Sequence, residues 1–416
     1  MYVTVHRGTR QIGGNLIEIG TDRTRLLFDV GTNLPPLDGP KTEDPFELEG
    51  LTCGKPAFDW VFLSHHHNDH CGLLGKLLPG IPLFAGEETK RILNVIADFT
   101  SQPRPEINFG FRDGQTIQLD DVRVIPIGVN HSAKDAYMFL VQAEGQNVLY
   151  TGDFRTSEKA VSTVRKLLGA EQKLDLLITE GTNIRPEKEW QTGRFQGEAW
   201  IQHRVAGRLR VHQGPGTMFV LCSAANEDRI QAFTKAAARF CRTACEDLFQ
   251  SAVRGHMDEN VQRFVANPVE EGSRAWPYFE TLYQQKALVG AETLARLPGQ
   301  KLIFVRTSML PFIEKYMAAR PPEEEQHPLL FYSMWEGYKQ TAAVQRVLEF
   351  CRKRSITVVN LHTSGHAGRD TVKALVDGLR PAALLPIHCA AEDREEFLSL
   401  HNNCLMLNDG QRWEVE

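Results

Sequence analysis

The feature that most constrains this chain is a histidine cluster in its first quarter. Residues 64–70 read Ser-His-His-His-Asn-Asp-His. An apolar run at residues 60–63 precedes the cluster and a small apolar turn follows it, which predicts a strand, a tight loop and the start of a helix. Because side chains two apart on a strand end point the same way, His65 and His67 face one side and His66 faces the other.

The loop is expected to turn Asp69 and His70 toward the same point as His65 and His67. A lone histidine is most often a satisfied core or surface residue, but four metal-capable side chains within six residues are better explained by shared ligands. One histidine pair can hold one cation, and the Asp-His pair can serve a second cation nearby. Zinc accepts imidazole nitrogen together with carboxylate oxygen, and manganese does so less readily. The cluster therefore predicts a metal site, with His66 as a bystander.

Composition sets the outer limits of what the chain can be. Its 416 residues are enough for two or three domains, and 42% hydrophobic with 24% charged residues is ordinary for a globular protein. The formal net charge of -5 excludes a bulk basic nucleic-acid binder, but not a cleft made positive by bound metal. No apolar run approaches membrane-spanning length, and no CxxC pair occurs among the 8 cysteines. We therefore expect a cytoplasmic protein with reduced thiols and no membrane partner.

Polar side chains also follow several other predicted strands at the point where each strand ends. His131, Asp153, Glu180 and His388 each stand at or just after the end of an apolar run. Groups on loops held by a sheet are the expected way to build a rigid site. Asp29 ends an apolar strand too, where it could cap a turn or orient a metal-binding histidine from behind.

These groups and the cluster together supply seven candidate metal ligands: His65, His67, Asp69, His70, His131, Asp153 and His388. Seven ligands suit two cations about 3.5–4 Å apart with one carboxylate between them, and Asp153 is the natural bridge. A hydroxide held between two such cations is a nucleophile near neutral pH. It can hydrolyse phosphodiesters, thioesters or amides, and the ligands alone do not choose among these.

Two further residues narrow the chemistry. His366 follows a Ser-Gly turn and is not needed to complete the metal set, so it could contact a scissile phosphate or protonate the leaving oxygen. Glu180 could keep His366 protonated through a hydrogen bond. The pair therefore favours phosphodiester chemistry.

The cluster, together with the later strand-end residues, resembles the metallo-β-lactamase fold. The resemblance implies an α/β protein whose body is an αββα sandwich. It also implies a division of the seven ligands: His65, His67 and His131 on one zinc ion, Asp69, His70 and His388 on the other, and Asp153 on both. Manganese is the alternative to zinc.

Three further stretches resemble the additional motifs of the β-CASP nucleases. They are Thr-Glu-Gly-Thr at residues 179–182, His-Thr-Ser-Gly-His-Ala at 362–367 and Pro-Ile-His at 386–388. This resemblance implies an α/β β-CASP cap domain, residues 190–355, inserted into a metallo-β-lactamase domain that comprises residues 1–189 and 356–416.

The same resemblance assigns roles at the site. It makes Asp69, Glu180 and His366 catalytic, and it makes His362, Ser364 and His366 candidates for substrate contact. The late histidine His388, with the Ser-Gly-His-Ala stretch, favours the RNA-cleaving branch of the family. Single-stranded RNA is therefore the expected partner, and a homo-oligomer is compatible with the family.

One stretch departs from the ribonuclease J pattern within this family. Those proteins usually carry Ser-Asn-x-His-Arg after the first cap strand, to hold a 5′-monophosphate, whereas residues 225–229 here read Ala-Asn-Glu-Asp-Arg. Asp228 puts a negative charge where a phosphate-facing histidine is expected, and like charges repel. Residues 332–336, Tyr-Ser-Met-Trp-Glu, also depart from a Ser-Ser-Arg-like stretch. The departures predict an endonuclease rather than a 5′-monophosphate-dependent exonuclease.

Three alternatives to an RNA-cleaving enzyme stay open. A DNA nuclease of the same fold makes the same motif demands, because the choice of substrate depends on cleft shape and on recognition of the 2′-hydroxyl. A binding or regulatory subunit could keep the fold without turnover, although the intact ligand set speaks against it. A small-molecule hydrolase is disfavoured by the cap domain and its motifs.

Overall fold

Three β-sheets organise the chain, and two of them face each other with the predicted ligands at one edge. The computed structural model describes residues 1–34, 44–170, 172–185, 197–212, 216–256, 258, 260–321, 323 and 326–416. Among these residues the strands are, in chain order, β1 (Tyr2–Arg7), β2 (Leu16–Gly20), β3 (Arg25–Phe28), β4 (Trp60–Phe62), β5 (Leu83–Gly86), β6 (Phe109–Phe111), β7 (Ile117–Leu119), β8 (Val122–Val129), β9 (Ala136–Ala143), β10 (Gln146–Tyr150), β11 (Leu176–Glu180), β12 (Met218–Leu221), β13 (Thr243–Asp247), β14 (Val261–Phe264), β15 (Leu288–Val289), β16 (Lys301–Val305), β17 (Leu329–Tyr332), β18 (Thr357–Asn360), β19 (Ala383–Ile387) and β20 (Arg412–Glu414).

Helices connect these strands and cover the sheets. They are α1 (Asn68–Cys71), α2 (Glu87–Thr100), α3 (Glu158–Leu168), α4 (Gly197–Val211), α5 (Glu227–Ala238), α6 (Leu248–Arg254), α7 (Trp276–Gln284), α8 (Ala291–Arg296), α9 (Leu310–Ala319), α10 (Ala342–Lys353) and α11 (Arg369–Leu379). Short 3-10 helices occupy Leu74–Lys76, Thr307–Met309, Glu336–Gln340 and Ala391–Ser399.

The first two sheets form the body of the molecule. Their strand orders are β20-β1-β2-β3-β4-β5-β6 and β19-β11-β10-β9-β8-β7. Between them lies an aromatic core, in which Phe28 stacks on Phe62 at 5.3 Å and Phe62 stacks on Phe84 at 4.7 Å between ring centroids. Phe139 of the second sheet reaches Phe28 across the core, at 5.2 Å. Because alternate side chains point to opposite faces, the neighbours of these residues face outward and need a second cover.

Helices provide that cover on the second sheet. Val164 of α3 and Val376 of α11 lie on apolar faces whose residues recur three or four apart, and they pack in one cluster with the outward-facing Leu177 and Leu384. On the first sheet, Leu27 packs outward in a cluster with segments near the histidine loop. The body is therefore layered as the sequence predicted, an αββα sandwich.

The third sheet is parallel throughout, with the order β15-β14-β13-β16-β12-β17-β18. Phe233 of α5 packs on one face and Phe312 of α9 on the other. The α5 helix begins where the side chain of Asn226 accepts the backbone N–H of Arg229 at 3.1 Å, as is typical of an N-cap. A parallel sheet covered on both faces is the α/β architecture expected of the inserted part.

This third sheet is inserted between two neighbouring strands of the second. β11 and β19 pair in parallel, with Glu180 opposite Ile387, so the chain leaves the body after β11 and returns to it before β19. The predicted fold class is confirmed. The strand β18 pairs with β17 in the third sheet, and we therefore propose that the second boundary follows Asn360 rather than residue 355. The first predicted boundary, at 189/190, lies outside the described residues. None of the helices in the described ranges combines the length and apolar character that a bilayer crossing requires.

Candidate metal centre

The histidine cluster forms a tight connection from β4 to α1. Residues 63–67 leave the end of β4, and α1 starts with the N–H of His70 donated to the carbonyl of His67 at 2.9 Å. This single turn of helix brings His65 and His70 together, with 4.2 Å between ring centroids and 42° between the ring planes. Both rings are fully buried.

A neighbouring backbone segment locks this loop in place. The carbonyl of Asp69 accepts the N–H groups of Gly14 and Asn15, at 3.0 and 3.2 Å. The chain also passes so close at Gly31 that a Cβ there would lie 1.7 Å from the carbonyl oxygen of Asp69. A side chain larger than hydrogen would therefore push the loop away from the sheet.

The second sheet contributes the remaining predicted ligands from its strand ends. His131 follows β8, Asp153 follows β10 and His388 follows β19, and all three are at most 3% exposed. His388 has a φ of 49°, a backbone conformation that non-glycine residues seldom adopt. Its N–H donates to the carbonyl of Gly8 at 2.8 Å. Such local strain persists where the surrounding structure holds it, and it is frequent at functional sites.

The seven predicted ligands come together as two groups. One holds the imidazoles of His65, His67 and His131, and the other holds Asp69, His70, Asp153 and His388, with the ligand atoms of each group within 4.8 Å of one another. His66 is buried beside them but belongs to neither group.

Asp153 lies between the two groups. Its Oδ2 is 3.1 Å from Nε2 of His70 in one group, and 3.7 and 3.8 Å from Nε2 of His65 and His131 in the other. Across the second group, Nε2 of His388 is 3.3 Å from Oδ2 of Asp69. A carboxylate in this position can serve both groups at once.

Protonation in the first group suits ligation. Burial lowers the pKa of His67, and it lowers the pKa values of His65 and His131 well below the usual range. Neutral imidazoles offer a lone pair to a cation. Nδ1 of His131 donates to the carbonyl of Gly365 at 2.8 Å, which leaves Nε2 as the ligand atom.

The carboxylates of the second group are ionised. Burial opposes charge on Asp153, but the imidazoles of His388 and His70 lower its pKa well below the usual range. The pKa of Asp69 is lowered in the same way, against burial, by His388 and His70. The pKa of His70 is raised, against burial, by the carboxylates of Asp153 and Asp29.

Among the residues that the structure describes, several buried atoms at this centre have no partner with hydrogen-bond geometry. They are Nε2 of His65, Nε2 of His70 and both carboxylate oxygens of Asp153. Burying such atoms without a partner is costly. A divalent cation would satisfy all of them, so the residues present fit the metal ions that their chemistry implies.

Behind the centre, Asp29 holds His70. Its Oδ2 is 2.7 Å from Nδ1 of His70 and accepts the hydroxyl of Ser64 at 2.8 Å, and its Oδ1 accepts the N–H of Ser64 at 2.7 Å. The hydroxyl of Tyr150 also donates to Oδ2. Of the two uses that the sequence left open for Asp29, contact with a histidine of the cluster is the one seen.

Glu180 and His366 form a second pair beside Asp153. Nδ1 of His366 donates to Oε2 of Glu180 at 2.9 Å and is 3.6 Å from Oδ2 of Asp153. Against the effect of burial, these two carboxylates raise the pKa of His366 to about 9. Its side chain remains 21% exposed, whereas that of Glu180 is 1% exposed. His366 is therefore a partly exposed imidazole beside the candidate ligands, and its raised pKa favours the protonated form.

The other predicted substrate residues lie on the loop before His366. The hydroxyl of Ser364 accepts the side-chain N–H of Asn183 at 3.0 Å and the N–H of His366 at 3.2 Å, which gives it a part in shaping the loop. His362 is half-buried, with Nδ1 3.4 Å from the guanidinium of Arg229. Contact of either residue with a substrate stays a prediction.

Thr182 is a contributor that the sequence reasoning missed. Its hydroxyl lies 2.8 Å from Nδ1 of His388 and 3.1 Å from Nδ1 of His366. It therefore orients one candidate ligand and one candidate proton donor. Its place in the Thr-Glu-Gly-Thr stretch at residues 179–182 was the available signal.

Comparisons with known proteins agree with this geometry. A family model described as "Beta-lactamase superfamily domain" matches residues 24–233, half of the chain. A protein from Enterococcus faecalis V583 whose crystal structure is titled as of unknown function has the same fold, with a TM-score of 0.76, 21% identity and 99% of each chain covered.

Two curated relatives are named Ribonuclease J. The protein from Helicobacter pylori is 22% identical over 99% of this chain and 60% of its own length. The protein from Mycobacterium tuberculosis is 22% identical over 93% of this chain and 68% of its own length. This chain thus spans about 60% of the length of the Helicobacter relative.

The superfamily implies divalent metal binding, and the cluster of histidines and aspartates is compatible with it. The family match, the fold and the similarity to Ribonuclease J along the chain confirm the predicted resemblance. The chain belongs to the β-lactamase superfamily and has the metallo-β-lactamase fold.

Proposed function

We propose that this chain is a ribonuclease that depends on two divalent metal ions, zinc in our assignment. The observation that carries the proposal is Asp153. It is a buried carboxylate between two ligand groups, and neither of its oxygens has a partner with hydrogen-bond geometry in the described part of the chain. The names of the relatives add the class of reaction, because both are ribonucleases.

In this proposal the ligands divide as the two groups do: His65, His67 and His131 for one ion, Asp69, His70 and His388 for the other, and Asp153 for both. When bound, such ions polarise a phosphoryl oxygen and lower the pKa of water toward neutrality. Asp69 is a ligand that the substrate can approach, since its side chain is 14% exposed while that of His388 is fully buried. Of the other ligands, His67 is also only half-buried.

His366 and Glu180 handle the proton. Nδ1 of His366 is committed to Glu180, so Nε2 is the ring atom left to face the substrate. A protonated imidazole can donate to the leaving 3′-oxygen or to a phosphate oxygen. Glu180 is itself fixed, because its Oε1 accepts the N–H of Phe154 at 2.9 Å.

We further propose that cleavage is internal and does not need a 5′-monophosphate. Arg229 ends the stretch at residues 225–229, where ribonuclease J proteins usually hold a 5′-monophosphate. Its guanidinium is already paired with Glu198 through two contacts, at 2.6 and 3.0 Å. Arg229 is 1% exposed. Asp228 beside it is exposed and adds a further negative charge. A terminal phosphate would have to displace Glu198 to reach this guanidinium.

The test uses the full chain with labelled single-stranded RNA, DNA of the same sequence, and circular RNA, each with and without a chelator. We expect chelator-sensitive cleavage of both linear and circular RNA. Asp69→Ala should lose this cleavage, and Asp377→Ala, which removes an exposed carboxylate from α11, should keep it.

RNA cleavage that survives the chelator, or that Asp69→Ala retains, would contradict the proposal. Faster cleavage of DNA would favour the DNA nuclease reading. Resistance of circular RNA would show dependence on an end. His366→Ala separates the proton donor from the ligands, because it should keep the metal content of the wild type while losing roughly 100-fold or more in turnover.

A further inference from the structure

Two exposed aromatic side chains lie on the segment that follows β17. Trp335 is 44% exposed and Tyr338 is 37% exposed. Their rings meet edge to face, with 5.4 Å between centroids and planes at 88°. We call them the Trp335–Tyr338 pair. Two exposed rings in contact form a larger apolar patch than a single exposed side chain does, and such patches are frequent at binding surfaces.

The sheet places this pair beside the loop that carries His366. β17 and β18 are parallel neighbours, so their carboxyl ends meet at one edge. The pair follows β17 and the His366 loop follows β18. The hydroxyl of Ser333 donates to the carbonyl of Leu361 at 2.6 Å, and Nζ of Lys339 is 2.7 Å from Oδ1 of Asn360. The two segments are thus joined directly before the residues of the site.

The pair also lies within electrostatic range of a candidate ligand. Partial burial, and then the negative charge of Asp69, raise the pKa of the Tyr338 hydroxyl. Leu34, which is 42% exposed, packs against Gly13, as Asp69 does. Exposed apolar side chains therefore lie near this candidate ligand.

The turn that carries the pair is held firmly. The hydroxyl of Tyr332 donates to the carbonyl of Trp335 at 2.9 Å. The guanidinium of Arg229 donates to both oxygens of Ser333, at 2.7 and 3.0 Å. A preorganised aromatic surface loses little freedom when a flat ligand stacks on it.

We infer that the Trp335–Tyr338 pair is a stacking site for a nucleobase next to the phosphodiester that is cleaved. The inference rests on the proposed function and names its mode of substrate contact. A single strand presents unstacked bases, and aromatic side chains bind any of the four through their π-faces. The net charge of -5 makes such uncharged contacts more important, since a bulk basic surface is lacking.

The test compares Trp335→Ala, Trp335→Phe and Tyr283→Ala as full-length proteins. Tyr283 is a matched control, because it is a 65% exposed aromatic residue on α7 that stacks on Phe279. We expect Trp335→Ala to lose roughly 5- to 100-fold in kcat/KM on single-stranded RNA, mostly through KM. Trp335→Phe should keep most of the activity and Tyr283→Ala all of it.

An abasic residue in the RNA provides the second arm. Placed beside the cleaved bond, it should slow the wild type by a similar factor and should slow Trp335→Ala no further, because the two changes remove one contact. Full activity of Trp335→Ala, or equal slowing of both proteins by the abasic residue, would overturn the inference while the proposed function stands.

A binding assay tests the stacking site independently of cleavage, and so separates it from the proposed function. RNA and DNA oligonucleotides are titrated into each protein in the presence of chelator, where no turnover is expected. Binding is followed by the change in protein fluorescence. Weaker binding of RNA by Trp335→Ala than by Tyr283→Ala supports the stacking site even if the wild type proves unable to cleave. Equal binding of RNA by the two variants would overturn the stacking site, and would favour contact of the Trp335–Tyr338 pair with a protein partner instead.

Discussion

At the scale of single residues, Asp29 accounts for much of the geometry of the centre. One buried carboxylate accepts two donors from Ser64, contacts Nδ1 of His70 and accepts the hydroxyl of Tyr150. These bonds turn Nε2 of His70 toward Asp153. A φ of 62° at Asp29 shows that the backbone bends into an unfavourable region to make them.

Asp29→Asn tests this role through metal affinity. The amide keeps the shape but loses the negative charge, so the His70 ring becomes less basic and less firmly oriented. We expect zinc affinity to fall roughly 10- to 100-fold, measured by competition with a chromophoric chelator. Asp377→Asn, at an exposed position of α11, should bind zinc as the wild type does, and equal affinity in Asp29→Asn would refute the role.

The candidate ligands could be predicted from the sequence, but the residues that orient them could not. Ligands follow strands, so alternation and strand ends were enough to select His131, Asp153 and His388. The partners that orient them could not be selected this way. Tyr150 and Asp29 meet across two facing sheets, 121 residues apart, and neither periodicity nor spacing encodes that contact.

At the scale of elements, the first sheet is tied together by one buried acid. Glu18 on β2 accepts the hydroxyl of Tyr2 at 2.6 Å, lies 2.7 Å from Nε2 of His6 and pairs with Arg25 at 2.8 Å. Burial opposes its charge, but the bonds to His6, Arg25 and Tyr2 lower its pKa from 4.5 to about 2. Three strands thus depend on the ionised form.

This shift predicts how stability depends on pH. The folded pKa lies below the unfolded one, so the contribution of Glu18 is complete above about pH 4.5 and is lost as pH falls toward about 2. It amounts to roughly 3 kcal/mol. Urea unfolding should show Glu18→Gln less stable than the wild type at pH 7, with the gap closing between about pH 4.5 and 2.

The control for this prediction is an exposed acid on a helix. Glu280→Gln, on α7, should change the free energy of unfolding little at any pH. A gap between Glu18→Gln and the wild type that stays constant as the pH falls would contradict the assignment of the ionised form.

Elements differ in how well the sequence predicts them. The long amphipathic α10 and the apolar runs of β12, β16 and β17 were evident. Residues 250–300 gave weak signals, because β15 (Leu288–Val289) and α8 (Ala291–Arg296) are short and only partly covered. β18 belongs to the third sheet because it pairs with β17. The sequence of β18 alone does not predict that pairing.

At the scale of the whole molecule, a buried charge network joins the inserted part to the body. Glu198 of α4 pairs with Arg229 of α5 and lies 3.3 Å from Arg155, which follows Asp153 in the body. Arg155 donates to the carbonyl of Ser364 at 3.0 Å, and Arg229 donates to that of Thr363 at 3.0 Å. The loop of His366 is therefore held from both sides.

Removing the shared carboxylate of Glu198 alone should lower stability more than removing it together with one of its guanidinium partners. Glu198→Gln leaves two buried guanidinium groups facing each other, and we expect it to cost about 3 kcal/mol of stability. The double variant Glu198→Gln with Arg229→Gln should recover part of that loss, because one of the uncompensated charges is gone. Chemical unfolding of the wild type, the single variants Glu198→Gln and Arg229→Gln, and the double variant measures this, and strictly additive losses would contradict the network.

A second contact between body and insertion lies farther from the centre. Phe99 of α2 packs on Phe249 of α6 at 5.2 Å and on Tyr278 of α7 at 5.5 Å. The guanidinium of Arg91 donates to the carbonyls of Ala252 and Val253 at the end of α6, where the helix dipole favours a cation. The sequence predicted an insertion, but these contacts between distant segments appear only in the folded chain.

We propose that two metal ions at this centre make the chain a ribonuclease. The most direct test strips the protein with a chelator, removes the chelator and restores zinc in steps while the cleavage of single-stranded RNA is followed. We expect cleavage to return with the second equivalent of zinc per chain, and Asp153→Ala to remain inactive throughout. Full cleavage by the stripped protein, or no cleavage by a chain that has bound two ions, would contradict a ribonuclease that depends on two metal ions.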